Sequence, residues 1–312
     1  MIGTVTVNPS LDEWVQLPRL RLGALNRAVG FHRYPGGKGI NVSRVVRELG
    51  GATRAHLTAG GADGALLVAM LEHLGVPHEA VRVQDGTRNN YKLQTESPRA
   101  FTEINTAGPP VSRAVLARLQ RGLLRAARTT PVWALSGSLP PGAPSTLYAR
   151  WIRLLQGRGA RVLLDASGSA LRAGVRARPW AIKPNRQEAE ELLGRRLNTR
   201  HAAVSGVEAL LGLGPSVAVL SLGKEGALLA SRDPAGVWWA RGPRVRARSV
   251  VGAGDSLVGG FLTGWAATHD LLNAFRLGVA CGTAAVLTPG TSLCHRADVR
   301  RLLPRVSLKR LA

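Results

Sequence analysis

The stretch VGAGDSLVGG, residues 251–260, sets small residues directly before an acid at the mouth of an apolar, helix-like run. Glycine is costly inside a helix but cheap at its start, where with alanine it lets backbone N–H groups approach an outside atom. At the positive end of a helix dipole, the N–H groups of Gly252, Ala253 and Gly254 would cradle an anion. Asp255, in the first turn, is placed to accept a proton from an attacking hydroxyl, and the same dipole predicts a low pKa for it. The combination suits phosphoryl transfer, in which the nucleophile loses its proton late and positioning outweighs basicity. A capping aspartate with glycines for close packing is the plainer reading of the same letters.

Two further clusters carry polar chemistry. In YPGGKGINVSRVVRELGG (34–51), Gly36, Gly37 and Gly39 surround Lys38 and open a helix with Asn41 in its first turn, an arrangement suited to a polyhydroxylated anion such as a sugar phosphate. In KPNRQE (183–188), Asn185 and Glu188 stand three apart at a helix start. Glu188 could hold a Mg²⁺ shell by hard oxygen contacts, directly or through water, and a capping box explains the pair equally well. Other glycine-loop chemistries are excluded. The GK pairs at Gly37-Lys38 and Gly223-Lys224 lack the P-loop spacing, and Leu257 stands where the dinucleotide fingerprint needs its last glycine. A GDSL-type esterase needs His three residues after a late Asp, and neither Asp270 nor Asp298 has one.

The elements that must hold these residues are legible as alternation. Strand-like runs VWALSG (132–137), RVLLDASG (161–168), AIKPN (181–185) and VAVLSLG (217–223) alternate with helix-periodic segments near 112–127, 145–157, 186–194 and 201–211. This predicts an α/β fold, a mainly parallel sheet with helices on both faces. Ligands of such sheets sit beyond the carboxyl ends of the strands, where SGSLPPG, DASG, KPN and SLGKEG all fall. Segments 12–34 and 88–105 alternate with period two and lack a helix, so they are expected to pair as a small antiparallel lid over the crevice. Residues 1–312 read as one domain, without repeats or low-complexity linkers.

The formal charge of +23 raises nucleic-acid binding as a function. The arginines are spaced along many predicted helices, however, and no aromatic platform or zinc-finger spacing accompanies them, so they read as solvated faces with no nucleic-acid partner. No run is long or apolar enough for a membrane span, and the strand-like start MIGTVTVNPSLDEW does not resemble a targeting segment, so a cytoplasmic location is expected. Cys281 and Cys294 have no CxxC spacing and read as buried free thiols.

Taken in order, NPSLD (8–12), GALNR (23–27), GGKGINV (36–42), TRNN (87–90), SGSLPPG (136–142), DASG (165–168), KPNRQE (183–188), SLGKEGAL (221–228) and VGAGDSLVGG (251–260) resemble the ribokinase-like, PfkB-type carbohydrate kinases. The resemblance runs nearly end to end, to the branch of 1-phosphofructokinase, tagatose-6-phosphate kinase and the minor 6-phosphofructokinase. It implies a three-layer αβα fold and an ATP- and Mg²⁺-dependent kinase making a ketohexose 1,6-bisphosphate. Asp255 would be the catalytic base, with Gly252, Ala253 and Gly254 as the anion hole. Asp12 and Asn41 would hold sugar hydroxyls, while Arg27, Lys38 and Arg88 clamp the substrate's own phosphate, with Gly37 and Ser136 beside them. Lys183, Asn185, Glu188, Ser221, Gly223, Gly226 and Gly254 would bind ATP, Asn185 and Glu188 also organising Mg²⁺. Ser249, Val251, Ala285, Thr288, Gly290 and Ser292 match a K⁺ site.

The resemblance ranks fructose 1-phosphate first. GALNR with GGKG is closer to the 1-phosphofructokinase and tagatose-6-phosphate kinase pattern, since the minor 6-phosphofructokinase carries lysine where Leu25 stands and glycine where Lys38 stands. GTSLC (290–294) is more like that enzyme. Pairing of two copies through the lid edge is also expected. The reading from another class is a non-catalytic sugar-phosphate- or nucleic-acid-binding protein on the same scaffold.

Overall fold

The computed structural model describes residues 1–97 and 99–311. Residue 98, inside the expected lid segment, and residue 312, the last of the expected domain, lie outside the described residues. The chain runs through β1 (Ile2–Thr6), β2 (Ser10–Leu17), β3 (Gly30–Gly36), α1 (Lys38–Glu48), β4 (Thr53–Ala59), α2 (Gly61–His73), β5 (His78–Arg82), β6 (Arg88–Glu96) and β7 (Arg99–Asn105). It continues through α3 (Arg113–Ala126), β8 (Val132–Ser136), α4 (Leu147–Gln156), β9 (Arg161–Asp165), α5 (Gly168–Val175), β10 (Ala181–Ile182), α6 (Arg186–Leu193), α7 (Arg200–Gly212) and β11 (Val217–Ser221). The last elements are β12 (Ala227–Arg232), β13 (Ala235–Arg241), α8 (Ala253–Thr268), α9 (Leu271–Ala285), α10 (Arg296–Leu302) and β14 (Ser307–Arg310).

The large sheet has the order β14-β13-β12-β11-β10-β9-β8-β1-β4-β5. It is parallel from β11 to β5, and β12, β13 and β14 extend it antiparallel, so the expectation of a mainly parallel sheet holds. Alternate strand residues feed two cores. Val5, Leu135, Leu164 and Leu220 pack against α3, α4, α5 and α7, while Ile2, Ala134, Leu163 and Val219 pack against α1, α8, α9 and α10. Period-two alternation thus gives both faces of each central strand an apolar partner, the pattern of a three-layer sandwich.

Local sequence accounts for the helices that matter to the site. Asn185 and Glu188 form a capping box that starts α6. The antiparallel pair α8 and α9 meets through glycines: a Cβ built on Gly260 would lie 2.5 Å from Cys281 Sγ, and one on Gly264 would lie 2.8 Å from Ala274 Cα. The later glycines of VGAGDSLVGG therefore serve packing, which fixes α8 rigidly behind its own N-terminus. Cys281 and Cys294 are buried free thiols, as expected. Among the described residues no helix is long and apolar enough to cross a membrane.

The lid is the four-stranded sheet β3-β2-β6-β7. Its two hairpins are antiparallel, but the pair that joins them, β2 with β6, is parallel, so the lid is mixed where a wholly antiparallel sheet was expected. The cause is topological. β2 follows the carboxyl end of β1 and β6 follows that of β5, so both leave the large sheet in one direction.

Candidate active site

The carboxyl ends of β1, β8, β9, β10 and β11, the start of α1 and the start of α8 surround one crevice, with the lid rising from its rim. Gly252 adopts φ 75° as the N-cap of α8, a left-handed conformation that glycine adopts freely. The first intrahelical bond runs from Ser256 N to Gly252 O at 2.8 Å, and Ala253 N makes only a 3.4 Å contact with Val250 O. The N–H groups of Gly254 and Asp255 have no partner among the described residues, which leaves the helix start open to an anion. Lys183 Nζ stands 3.6 Å from a Cβ built on Gly254, so a cation faces the same point.

Asp255 is 8% exposed and accepts a hydrogen bond from Asn41 Nδ2 at 2.8 Å. Burial pushes its carboxyl up to about 6, nearby Asp165 adds to the rise, and Lys38, the Asn41 bond and Lys183 oppose it. The low pKa expected from the helix dipole is therefore corrected. Desolvation and a like charge outweigh a dipole that acts only over one turn.

Asp165, at the end of β9, is the centre of charge that sequence reasoning passed over. Its Oδ1 accepts from Lys38 Nζ at 3.1 Å and faces Lys183 Nζ at 3.3 Å. Burial opposes its ionisation, but Lys183 and then Lys38 outweigh that and hold the carboxyl below its ordinary range. Burial likewise pulls the Lys38 ammonium down, and Asp165, Glu188 and Asp255 together reverse the sign and raise it. Lys38, expected on the substrate's phosphate, is here turned toward Asp165 (3.1 Å) and Glu188 (3.8 Å), the latter expected on the nucleotide. The available signal was an acid closing the apolar run RVLLD; the burial that makes it a hub is a tertiary property.

The residues expected to hold the sugar gather where β2 and β6 begin, with Arg27 apart. Asp12 Oδ1 accepts from Ser10 Oγ at 2.9 Å and Asn90 Nδ2 at 3.2 Å. A Cβ on Gly36 would lie 2.6 Å from that same oxygen, and one on Gly37 would lie 2.7 Å from Thr6 Cγ2, so both glycines permit close approach. Arg88 donates from Nη2 to Asn8 O at 3.1 Å and from Nη1 to Thr106 O, and burial lowers its pKa against the pull of Asp12. Arg27 is not brought into this group. It is exposed in the loop 18–29 at the far end of the lid, with no polar partner among the described residues. Ser136 is fully buried at the end of β8, and it is Gly137 that borders Lys38, 3.8 Å from the lysine Cβ to a built Cβ.

Among the residues expected to bind the nucleotide, Asn185 Oδ1 accepts from Glu188 N at 2.9 Å while Glu188 Oε2 accepts from Asn185 N at 2.9 Å. The capping box is thus realised, and it commits one oxygen of Glu188 while leaving Oε1 toward the crevice. Ser221 bridges to Asn185, and Gly223 and Gly226 take φ of 59° and 93° around a tight turn. The two segments expected to bind K⁺ meet through Arg248 N to Val286 O at 2.7 Å. Within them the Ala285 carbonyl already accepts from Thr288 Oγ1 at 2.7 Å. Arg44 was expected on a solvated helix face with the other spaced arginines, yet it is half-buried, and its Nη1 donates to Asn41 Oδ1 at 3.1 Å and to Pro35 O at 3.2 Å, directly behind the Asn41–Asp255 bond.

An open helix start, an adjoining carboxylate, a lysine pair and a polar rim beneath the lid are the arrangement of a phosphotransferase of the ribokinase-like fold. Residues 7–298 match the model of the pfkB family carbohydrate kinases, and the chain belongs to that family. It is 35% identical over 315 residues to the 1-phosphofructokinase of Bacillus subtilis, covering 100% of both chains. It is also 35% identical over 302 residues to the ATP-dependent 6-phosphofructokinase isozyme 2 of Mycobacterium tuberculosis, covering 96% of this chain and 88% of that one. Phosphofructokinase-2 from Escherichia coli, solved in complex with potassium, superposes with a TM-score of 0.91 at 32% identity, covering 97% of this chain and 98% of that one. A tetrameric inhibited form of the same protein has also been solved.

Proposed function

We propose that the chain transfers the γ-phosphoryl group of ATP to the 6-hydroxyl of fructose 1-phosphate, yielding fructose 1,6-bisphosphate and ADP. The observation that carries this reading is the buried Asp255 carboxylate beside two unpartnered N–H groups at the start of α8. Asp255 takes the proton of the 6-hydroxyl as its oxygen bonds to phosphorus and the bond to the β-phosphate oxygen breaks. The N–H groups of α8 and Lys183 bear the charge of the migrating group.

Asp12 and Asn41 hold sugar hydroxyls, and Arg88 takes the phosphate already on the substrate; Lys38, here held at Asp165 and Glu188, and Arg27, in its exposed loop, join it only when they are brought in. Lys183, Asn185, Ser221 and the 223–226 turn line the nucleotide. Glu188 Oε1, which here faces Lys38 Nζ at 3.8 Å, is a hard donor suited to Mg²⁺ through water, and the ion when bound would screen the phosphate charges. The paired segments carrying Ser249, Val251, Ala285, Thr288, Gly290 and Ser292 are rich in carbonyl oxygen, which suits K⁺, with Ala285 the least free of them.

Two copies pair through the lid in this reading, supported by Phe31, Tyr91 and Ile104, which are 55%, 43% and 50% exposed and which strand register puts on one face of it. The substrate assignment is tested by kcat/KM for fructose 1-phosphate, fructose 6-phosphate and tagatose 6-phosphate. A preference for either 6-phosphate would reassign the clamp. Sedimentation of a Phe31→Glu/Ile104→Glu variant tests the pairing, and an unchanged dimer would refute it.

A further inference from the structure

The kinase site leaves the charge of +23 unexplained. Residues 106–180 hold twelve arginines, no lysine and a single carboxylate, Asp165, which is buried and bound to Lys38 and Lys183. Spaced along the chain, these arginines look like separate solvated faces. The fold brings them together, because α3, α4 and α5 lie side by side on one face of the large sheet.

Each helix turns its apolar side inward: Leu116, Leu119 and Leu123 on α3, Tyr148, Trp151 and Leu155 on α4, and Leu171 and Val175 on α5. Arg118 and Arg121, Arg150 and Arg153, and Arg172 and Arg176 then stand on the outward sides, three or four apart. All six are exposed and none has a hydrogen-bond or ion-pair partner among the described residues. With packed helix axes about 8–10 Å apart, the six span a patch about 20 Å across.

We propose that the α3–α4–α5 face is a binding surface for duplex DNA, held through its phosphates without sequence readout. What accompanies the arginines selects this partner among polyanions. The aromatic rings of this region, Trp133, Tyr148 and Trp151, are buried, so no stacking platform for a single strand is present on the face. None of the exposed large hydrophobic residues lies between 106 and 200, so the face has no apolar side chains to enter a bilayer. Duplex RNA is distinguished through its 2′-hydroxyls, which both donate and accept, whereas the six outward groups here are guanidinium donors suited to phosphate alone. The proposal departs from the sequence-based expectation of no nucleic-acid partner, which rested on the spacing of the arginines along the chain and on the lack of an aromatic platform or zinc-finger spacing.

The proposal is independent of the kinase reading, since none of the six arginines contacts the crevice. Fluorescence anisotropy with a mixed-sequence duplex DNA probe, titrated across a salt series, tests it. With five of the six arginines on phosphates, log K should fall with log salt at a slope of about −4 to −5. Arg118→Glu/Arg121→Glu/Arg153→Glu should weaken binding about 100-fold or more near 0.15 M salt and make the slope shallower by about 3, with kinase turnover unchanged. The glutamine triple at the same positions should show the same loss in milder form. An Arg300→Glu/Arg301→Glu/Arg305→Glu control has the same net charge and should retain most of the affinity. Equal loss in that control would overturn the proposal. So would tighter binding to single-stranded DNA or to phosphatidylserine vesicles, or no duplex binding at that salt.

Discussion

Asn41 Nδ2 donates to Asp255 Oδ2 across 2.8 Å, joining the first turn of α1 to the first turn of α8 over 214 residues of chain. The bond favours the ionised carboxylate, which burial otherwise disfavours. Turnover should therefore fall on the acid side with a midpoint near the Asp255 value of about 6, because the protonated acid cannot accept the hydroxyl proton. Asn41→Ala should move that midpoint to higher pH. The pH profile of kcat at saturating sugar phosphate checks it, and an unmoved midpoint would count against the bond's role.

Asp255→Asn should lower kcat by about 10²- to 10⁴-fold with little change in either KM. Its effect on stability has the opposite sign. The folded carboxyl titrates near 6 against an ordinary value of 3.8, so the folded state keeps its proton between those values while the unfolded chain loses it. Stability thus falls as pH rises through that window. At neutral pH the asparagine variant should be the more stable protein, on the order of 2 kcal/mol, in denaturant melts.

Arg44 positions rather than reacts. Its bond to Asn41 Oδ1 fixes which end of the amide faces Asp255. Burial brings the guanidinium down to about 10, so it remains a cation at neutral pH. Arg44→Met should let the amide turn, cutting kcat about 10- to 100-fold with the KM for ATP unchanged. Arg44→Lys should recover part of that loss, which a purely packing role would not produce.

Removing the Asp165 charge should separate two effects. Asp165→Asn leaves Lys38 and Lys183 without their buried counter-ion, a loss of about 3–5 kcal/mol in thermal or denaturant unfolding. Asp165 also raises Asp255, so the acid limb of any activity that survives should move to lower pH. A limb that moved upward would reverse the assigned electrostatics.

Arg88 should govern recognition of the sugar's phosphate. Arg88→Ala should raise the KM for fructose 1-phosphate about 10- to 100-fold and leave the KM for ATP near its starting value. Steady-state kinetics in each substrate separately would show it, and equal effects on both would remove Arg88 from the clamp.

Much of the arrangement is legible in the chain because the crevice is built from strand ends. A run such as VAVLSLG shows both its apolar body and its small polar terminus, and KPNRQE shows a helix start whose capping box the structure contains. What period-two and helical patterns cannot express is depth. Asp165 and Asp255 are each acids at the edge of apolar runs, yet one is held ionised by two lysines and the other is pushed toward protonation. Direction is also hidden: the alternation of 12–34 and 88–105 identifies strands but not that β2 and β6 run the same way.

That shared direction has an engineering consequence. Ser10 is in register with Arg88 and Asp12 with Asn90, so the working ends of both strands lie at the rim, and the hairpin turn after β2 points away from it. Peptides grafted into the 18–29 loop so that Arg27 is kept should leave sugar capture within one copy intact while changing how copies meet. The lid is thereby a two-ended module, with its buried polar residues at the base and its exposed loop at the tip.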